Sequence, residues 1–126
     1  MRFDVMVTGN MFGDILSDEA SELSGSLGLA GSVMQGDTQC VAQAQHGSAP
    51  DIAGQDRANP TSLILSAAMM LDWIAARESR PEFAQAAKAV ENAVDACLQD
   101  KATRTRDLGG TLGTRAFAAE VAGRIK

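Results

Sequence analysis

The strongest constraint on the fold of this chain is an apolar helix that the other segments cannot fully cover. Residues 63–74 read LILSAAMMLDWI, which is apolar almost all the way round a helix. A helix with this pattern is buried on most of its sides. Asn59 and Pro60 stand before it as N-cap and first helical residue. We therefore expect a central helix with neighbours on several faces.

The other segments predict an α/β chain with few short strands and four helices in total. Short strands are expected at 3–8, 30–34 and 40–44, and further helices at 12–23, 81–98 and 114–125. Phe12, Ile15, Leu16, Ala20 and Leu23 would form one apolar face of the first helix. Three short strands cannot flank all this apolar surface. We therefore expect part of it to meet sheet or helix that this chain does not supply.

Charge and composition exclude several classes of protein. The net charge of -5 provides no field that would gather phosphate backbones. No stretch reaches the roughly 18 apolar residues of a membrane span, and Met1-Arg2-Phe3-Asp4 lacks the order of a secretory signal. Cys40 and Cys97 suit free thiols in a reducing compartment, although a disulfide between them stays open. We expect a cytoplasmic protein without nucleic-acid or membrane partners.

Asp14 and Asp18 are a candidate metal site on the first helix. Residues four apart lie one turn apart on the same side, where two like charges repel each other unless something uses them. Mg²⁺ and Mn²⁺ prefer carboxylate oxygens and take only one or two of them from protein. The alternative is a solvated acidic face near a helix start, and the spacing alone favours that alternative.

The glycine-rich segment 46–54 is a candidate nucleotide-binding loop. Backbone N–H groups in such a loop can approach a phosphate or ribose closely. Asp51 could accept hydrogen bonds from a ribose diol, and Asn59 could read an adenine edge. The alternatives are a structural turn, a surface aspartate and a plain N-cap. The segment matches neither GxGxxG nor a P-loop.

Joined together, these segments resemble the β-decarboxylating dehydrogenases. This family holds the 3-isopropylmalate, isocitrate, homoisocitrate and tartrate dehydrogenases, and the chain is most similar to 3-isopropylmalate dehydrogenase. The matching motifs, in order and with the spacing of the family, are residues 10–20 with 25–28, 46–54, 58–60, 64–71 and 107–110. The resemblance covers essentially the whole chain, but only the C-terminal portion of the longer family members. It implies that residues 1–25 belong to a dimer-forming domain and residues 26–126 to the cofactor-side domain.

The resemblance also implies roles for the candidate residues. Asp14 and Asp18 match aspartates that hold Mg²⁺ or Mn²⁺ against a 2-hydroxy acid substrate. The positions matching the adenosine half of the nicotinamide cofactor are His46, Gly47, Ser48, Ala49, Pro50, Asp51, Ile52 and Asn59. A carboxylate at Asp51 would accept a hydrogen bond from the ribose 2′-hydroxyl and repel a 2′-phosphate, so NAD is the expected cofactor.

The departures from the family concern its proton-transfer groups. The family uses a tyrosine and a lysine that lie upstream of these motifs; this chain has no tyrosine, and its three lysines lie outside the motifs. Gln43, Ala44 and Gln45 stand where relatives commonly carry Glu-Pro before the histidine. We expect no catalytic residue in this chain and hence an inactive fragment. It would form a homodimer or pair with a missing N-terminal half. The alternatives are a stand-alone oligomerising or regulatory subunit and a nucleotide-binding module.

Overall fold

A computed structural model of the chain describes residues 5–126, apart from the side chains of Ser24 and Leu27. The helices and strands of that part are α1 (Asn10–Ser24), β1 (Gly31–Gln35), β2 (Cys40–Ala44), α2 (Thr61–Glu78), α3 (Pro81–Gln99) and α4 (Thr114–Arg124). Short 3₁₀ turns lie in the connections, at Leu27–Leu29, Pro50–Ile52, Lys101–Thr103 and Arg106–Leu108. The expected α/β class, with four helices and few short strands, is confirmed.

The two strands form an antiparallel hairpin whose register runs from Gly31 opposite Ala44 to Gln35 opposite Cys40. Both lie within a residue of their expected positions. The expected strand at 3–8 is wrong for the residues that are described, because residues 5–9 have no regular structure; Phe3 and Asp4 lie outside the described residues. A strand needs a neighbour for its ladder hydrogen bonds. Among the described residues the only sheet is the β1–β2 hairpin.

Helix α2 packs against both strands through two buried serines. Ser66 Oγ donates to Gln43 O at 2.6 Å and accepts from Ser32 N at 2.9 Å. Ser62 Oγ donates to Ala30 O and accepts from Gln45 N at 3.0 Å. The two hydroxyls therefore hydrogen-bond to backbone groups of β1 and β2, and of Ala30 and Gln45, which flank these strands. The central helix is as expected, although its most buried side chains are small and Leu63 and Met69 remain exposed.

A compact apolar core lies between α3, α4 and one face of α2. Its buried members are Ala93, Val94, Cys97, Phe117 and Val121, with Ile64, Leu65, Leu98 and Leu112 packed against them. The buried members lie on the apolar stripes of α3 and α4, whereas Ile125, four residues after Val121, is exposed. Both cysteines are free. Burial raises the pKa of the Cys97 thiol, so this thiol stays protonated and unreactive.

The apolar face of α1 has no cover among the described residues. Phe12, Ile15, Leu16 and Leu23 are exposed, as are Val5 and Val7 in the segment before the helix. The helix packs against the 3₁₀ turn Leu27–Leu29. The sequence pattern placed the uncovered apolar surface on the helix at 60–74, whereas in the structure Leu63 and Met69 are the exposed large apolar side chains of that helix and the larger uncovered surface is this face of α1. Within residues 5–126, no helix is both long and apolar enough to cross a membrane.

We expect Ser66→Ala to lower the free energy of unfolding by about 1–3 kcal/mol, because it removes the hydrogen bonds that a fully buried hydroxyl makes with Ser32 N and Gln43 O, each worth about 0.5–1.5 kcal/mol. The control is Ser17→Ala on the exposed side of α1, where the hydroxyl bonds only to Asp14 O. That change should stay within about 0.5 kcal/mol. Urea denaturation measures both, and equal losses would contradict the role given to Ser66.

Candidate functional site

A cavity of about 670 Å³ lies where the loop after β2 meets the start of α2 and the start of α4. Its wall consists of residues 46–49, 52–54 and 56–59 from the loop, Ser26 and Gly28 from the turn after α1, Asp107, and Thr114 and Arg115. Cavities of this size commonly hold small ligands. A Cβ at Gly47 or Gly54 would meet nothing within 4 Å, so the glycines leave the mouth of the cavity open.

Two residues of the loop adopt left-handed backbone conformations that favour glycine. Ala49 has φ 42° and Asp56 has φ 53°. Such conformations cost about 1–2 kcal/mol each for a residue with a side chain. The structure holds Asp56 in place through α4, because its carboxylate accepts a hydrogen bond from Arg115 N at 3.0 Å and its carbonyl accepts one from Thr114 N at 3.3 Å. The shape of the loop therefore depends on α4.

The wall of the cavity is closed by a polar junction of three chain segments. Asp107 Oδ2 accepts from Ser26 Oγ and from Asn59 Nδ2, both at 2.9 Å. Asn59 Oδ1 accepts from Thr61 N at 3.0 Å, so this side chain also holds the first residue of α2. Asn59 is 8% exposed. The expected placement of Asn59 as N-cap and Pro60 as first helical residue is wrong by one position, because Pro60 is the N-cap and α2 begins at Thr61.

The hydrogen bonds at this junction favour the ionised form of Asp107. Partial burial opposes ionisation, but the Thr105 hydroxyl, Asn59, Ser26 and the backbone N–H together outweigh it and hold the pKa of the carboxyl below its ordinary value. The Thr105 hydroxyl is fully buried and makes no hydrogen bond of standard geometry, so it favours the charge by proximity. Because Asp107 as a residue is exposed to solvent, we expect its net contribution to stability to be small.

The two candidate metal ligands lie on the exposed surface of α1. Asp14 and Asp18 occupy successive turns, and Asp18 Oδ1 accepts a hydrogen bond from Gln45 Nε2 at 3.2 Å. Gln45 comes directly before His46, so the acid pair and the loop are linked through this one side chain. No cluster of three or more metal-ligating side chains occurs among residues 5–126. Two carboxylates with waters are nevertheless a donor set that Mg²⁺ accepts.

Most of the loop residues selected from the sequence line the cavity. His46, Gly47, Ser48, Ala49, Ile52 and Asn59 do so, whereas Pro50 and Asp51 do not. The Asp51 side chain is exposed, and its backbone carbonyl accepts from Gln55 Nε2 at 2.7 Å. Asn59 was expected to offer a ligand both a donor and an acceptor. Both of its polar atoms already have protein partners, which limits the hydrogen bonds left for a ligand.

Sequence reasoning missed Asp56 and Arg57 at the end of the loop, and the residues that other elements bring to the cavity, namely Ser26, Gly28, Asp107, Thr114 and Arg115. For Ser26, Gly28 and Asp107 a signal was present, because they lie in the segments 25–28 and 107–110 that resemble the family. Thr114 and Arg115 lie at a helix start that no local pattern connects with the loop.

We expect the Asp107 carboxylate to stabilise the fold at neutral pH and to lose this effect in acid. Since its folded-state pKa is lowered, the contribution is fully present above the unfolded-state pKa and is lost as pH falls through the folded-state pKa. Asp107→Asn should therefore lower the free energy of unfolding at pH 7 by about 1 kcal/mol or less, as urea denaturation measures. The two should converge once the pH has fallen below the lowered folded-state pKa of Asp107. A difference that persists or grows in acid would contradict the assignment.

Comparison with known proteins gives a consistent set of relatives. The family described as isocitrate/isopropylmalate dehydrogenase matches residues 1–122. The isocitrate/homoisocitrate dehydrogenase of Thermus thermophilus is 54% identical over 125 residues, which is 99% of this chain and 35% of that protein. The 3-isopropylmalate dehydrogenase of Salinibacter ruber is 51% identical over 127 residues, covering 98% of this chain and 33% of that protein.

Solved structures agree with the sequence matches. The crystal structure of isocitrate dehydrogenase from Methylococcus capsulatus superposes with a TM-score of 0.85 at 41% identity, covering 98% of this chain and 35% of that one. The chain spans about a third of the length of the relatives that it matches. Relatives of the isocitrate/homoisocitrate and 3-isopropylmalate types match at similar identity, 54% and 51%. The chain belongs to the isocitrate/isopropylmalate dehydrogenase family of oxidoreductases.

Proposed function

We propose that this chain forms the part of an NAD-dependent, metal-dependent oxidative decarboxylase of 2-hydroxy acids that holds the adenosine half of the cofactor. The observation that carries the proposal is the cavity built by the loop 46–49 and 52–54 together with Asn59, in a chain of this family. The matching relatives named above act on isocitrate, homoisocitrate or 3-isopropylmalate, as their names state. The proposed substrate class is accordingly a 2-hydroxy acid.

The cavity fits a nucleotide in size and in chemistry. Gly47 and Gly54 leave room for the backbone to approach a ligand. His46, Arg57 and Arg115 supply cationic or hydrogen-bonding groups on the wall, while Ile52 and Ala53 supply apolar surface. Asp51 stands between the wall residues Ala49 and Ile52 in the chain without lining the cavity itself, and the resemblance assigns it to the ribose. NAD, bound there, would supply the hydride acceptor for oxidation of the 2-hydroxy group.

Asp14 and Asp18 are the residues that would hold Mg²⁺ or Mn²⁺. They lie one turn apart and exposed on α1, and a hard divalent cation accepts such carboxylates together with water and substrate oxygens. Bound there, the cation would supply Lewis acidity at the oxygen of the 2-hydroxy acid. In this proposal α1 belongs to a dimer-forming unit, and residues from 26 onward belong to the cofactor-side unit.

We expect the chain to bind NAD more tightly than NADP, and Asp51→Lys to reverse or abolish that preference. A lysine at this position would attract the 2′-phosphate that a carboxylate repels, and each of the two units of charge changed should contribute about five- to tenfold near the surface. Titration of each cofactor followed by NMR measures both affinities.

Asp95→Lys is the matched control, since it makes the same charge change at an exposed position of α3 away from the cavity. It should leave the preference unchanged. If the parent chain binds neither cofactor, or if both variants respond alike, the proposed NAD site is wrong.

On its own, the chain should give no dehydrogenase turnover with NAD, Mn²⁺ and isocitrate or 3-isopropylmalate. It has no tyrosine for the acid/base role that the family assigns to one, and loss of a general acid or base typically costs about 10²–10⁴ in rate.

Mn²⁺ should still bind weakly, as electron paramagnetic resonance measures, and Asp14→Asn with Asp18→Asn should remove this binding while Glu22→Gln on the same helix does not. Turnover free of host enzyme would refute the first expectation, and Mn²⁺ retained by the double variant the second.

A further inference from the structure

Helix α4 begins without a capping side chain of its own. Its N-cap is Gly113, which has no side-chain oxygen to accept from the first N–H groups of the helix. Asp56 supplies both acceptors instead, since its Oδ1 accepts from Arg115 N at 3.0 Å and its carbonyl accepts from Thr114 N at 3.3 Å. Asp56 stands 59 positions before Arg115 in the chain and lines the cavity. The cap of α4 is therefore part of the cavity wall.

The fit between the loop and the start of α4 is close. A Cβ added to Gly113 would lie 2.6 Å from Asp56 O and closer still to Asp56 Oδ2. In the opposite direction, Thr114 Oγ1 donates to Ala58 O, two residues further along the loop. A carboxylate at the N-terminus of a helix is also favoured by the helix dipole. The loop and the helix therefore hold each other at several points.

Asp56 makes these contacts from a left-handed backbone conformation, with φ 53°. That conformation is strained for a residue with a side chain, although aspartate and asparagine adopt it more readily than most. Helix α4 in turn packs on α3 through the buried Phe117 and Val121. If α4 leaves this position, the loop loses the hydrogen bonds that offset the strain, and the cavity loses Thr114 and Arg115 from its wall.

We propose that Asp56 is a positioning residue that couples the packing of α4 to ligand binding in the cavity, so that α4 acts as a latch on the loop. The inference rests on the proposed nucleotide site and adds a means by which its occupancy is controlled. A ligand that binds only the latched form stabilises it by a factor of one plus the ratio of free ligand concentration to Kd. Because such coupling is reciprocal, closing the latch raises the affinity for the ligand.

Amide hydrogen exchange in α4, measured by NMR with and without AMP, tests the coupling. The reporter is the Val121 amide, because Val121 belongs to the core and does not line the cavity. AMP is set to about ten times the Kd of each protein, so that a difference in affinity alone does not alter the comparison. In the parent chain AMP should slow exchange at Val121 about tenfold. The amide of Glu19, exposed on α1 and away from the cavity, should not respond.

Four substitutions separate the capping role of Asp56 from its other roles. Asp56→Ala removes the side-chain acceptor, Asp56→Gly removes it and also relieves the left-handed strain, and Asp56→Asn keeps an acceptor and tolerates the conformation. Gly113→Ala leaves the Asp56 side chain intact and pushes it away from α4. AMP should slow exchange at Val121 by less than about threefold in Asp56→Ala, Asp56→Gly and Gly113→Ala, and by about tenfold in Asp56→Asn.

Two control substitutions match these changes away from the cavity. Asp100→Ala removes a carboxylate that accepts from Ala102 N at 2.9 Å at the start of a short turn. Gly123→Ala adds a methyl group to α4 where nothing lies within 4 Å. Both should keep the slowing of the parent chain. Protection of the Val94 amide, in the core on α3, shows that each variant is folded.

The outcomes separate this inference from the proposed function. Failure of the parent chain to bind AMP would refute the nucleotide site and the coupling together. Two results would leave the site standing and refute the latch. One is AMP binding without slower exchange at Val121. The other is equal exchange at Val121 and Val94 without AMP, because α4 would then not open separately from the core.

The variants decide whether Asp56 is the link. Slowing that persists in Asp56→Ala would show that AMP holds α4 without Asp56, and loss in Asp56→Ala but not in Asp56→Gly would assign the effect to backbone strain. Loss in Asp56→Asn, or persistence in Gly113→Ala, would show that the carboxylate acts on the ligand instead of on α4. Each of these results overturns the positioning role.

Discussion

The hydroxyl groups of Ser62 and Ser66 are the interaction on which the rest of this structure depends. From a single face of α2 they pair with backbone groups on both strands and beside them. Such close approach requires small residues on both sides, and a Cβ at Gly31 would lie 3.1 Å from Ser66 N. The bond from Gln45 N to Ser62 also fixes the residue from which the 46–54 loop departs. Helix–strand packing and the start of the candidate site are therefore one arrangement.

The candidate site follows from that arrangement by two further contacts. Asp56 joins the end of the loop to the start of α4, and Asp107 joins Asn59 to the turn after α1. Each uses one carboxylate to satisfy donors from elements far apart in the chain. A charged acceptor suits this task, because hydrogen bonds to an ionised group are stronger than those between neutral groups. The left-handed conformations of Ala49 and Asp56 are tolerated because these surrounding contacts hold the loop.

Local pattern predicted the elements well and failed where an element needs a partner. The periodicity of residues 12–23, 81–98 and 114–125 identified α1, α3 and α4, since apolar spacing and helix stops act within a few residues. The same reasoning assigned a strand at 3–8, whereas residues 5–9 have none. Strand-forming residues establish a preference, but the ladder hydrogen bonds must come from another strand. The uncovered face of α1 has the same cause, because its periodicity cannot say what packs on it.

The sequence by itself determined the class of fold, the family and most of the loop that lines the cavity. The glycines, the proline and the histidine of the loop 46–54 are contiguous in the chain, so local sequence alone identifies this loop. Only the tertiary structure decided that Ser26, Gly28 and Asp107 complete the wall. It also decided that the Asn59 amide is already engaged on both sides and that Asp51 stands outside the cavity wall. Hydrogen bonds between Ser26 and Asp107 span 81 positions, and no periodicity or spacing carries information over such a separation.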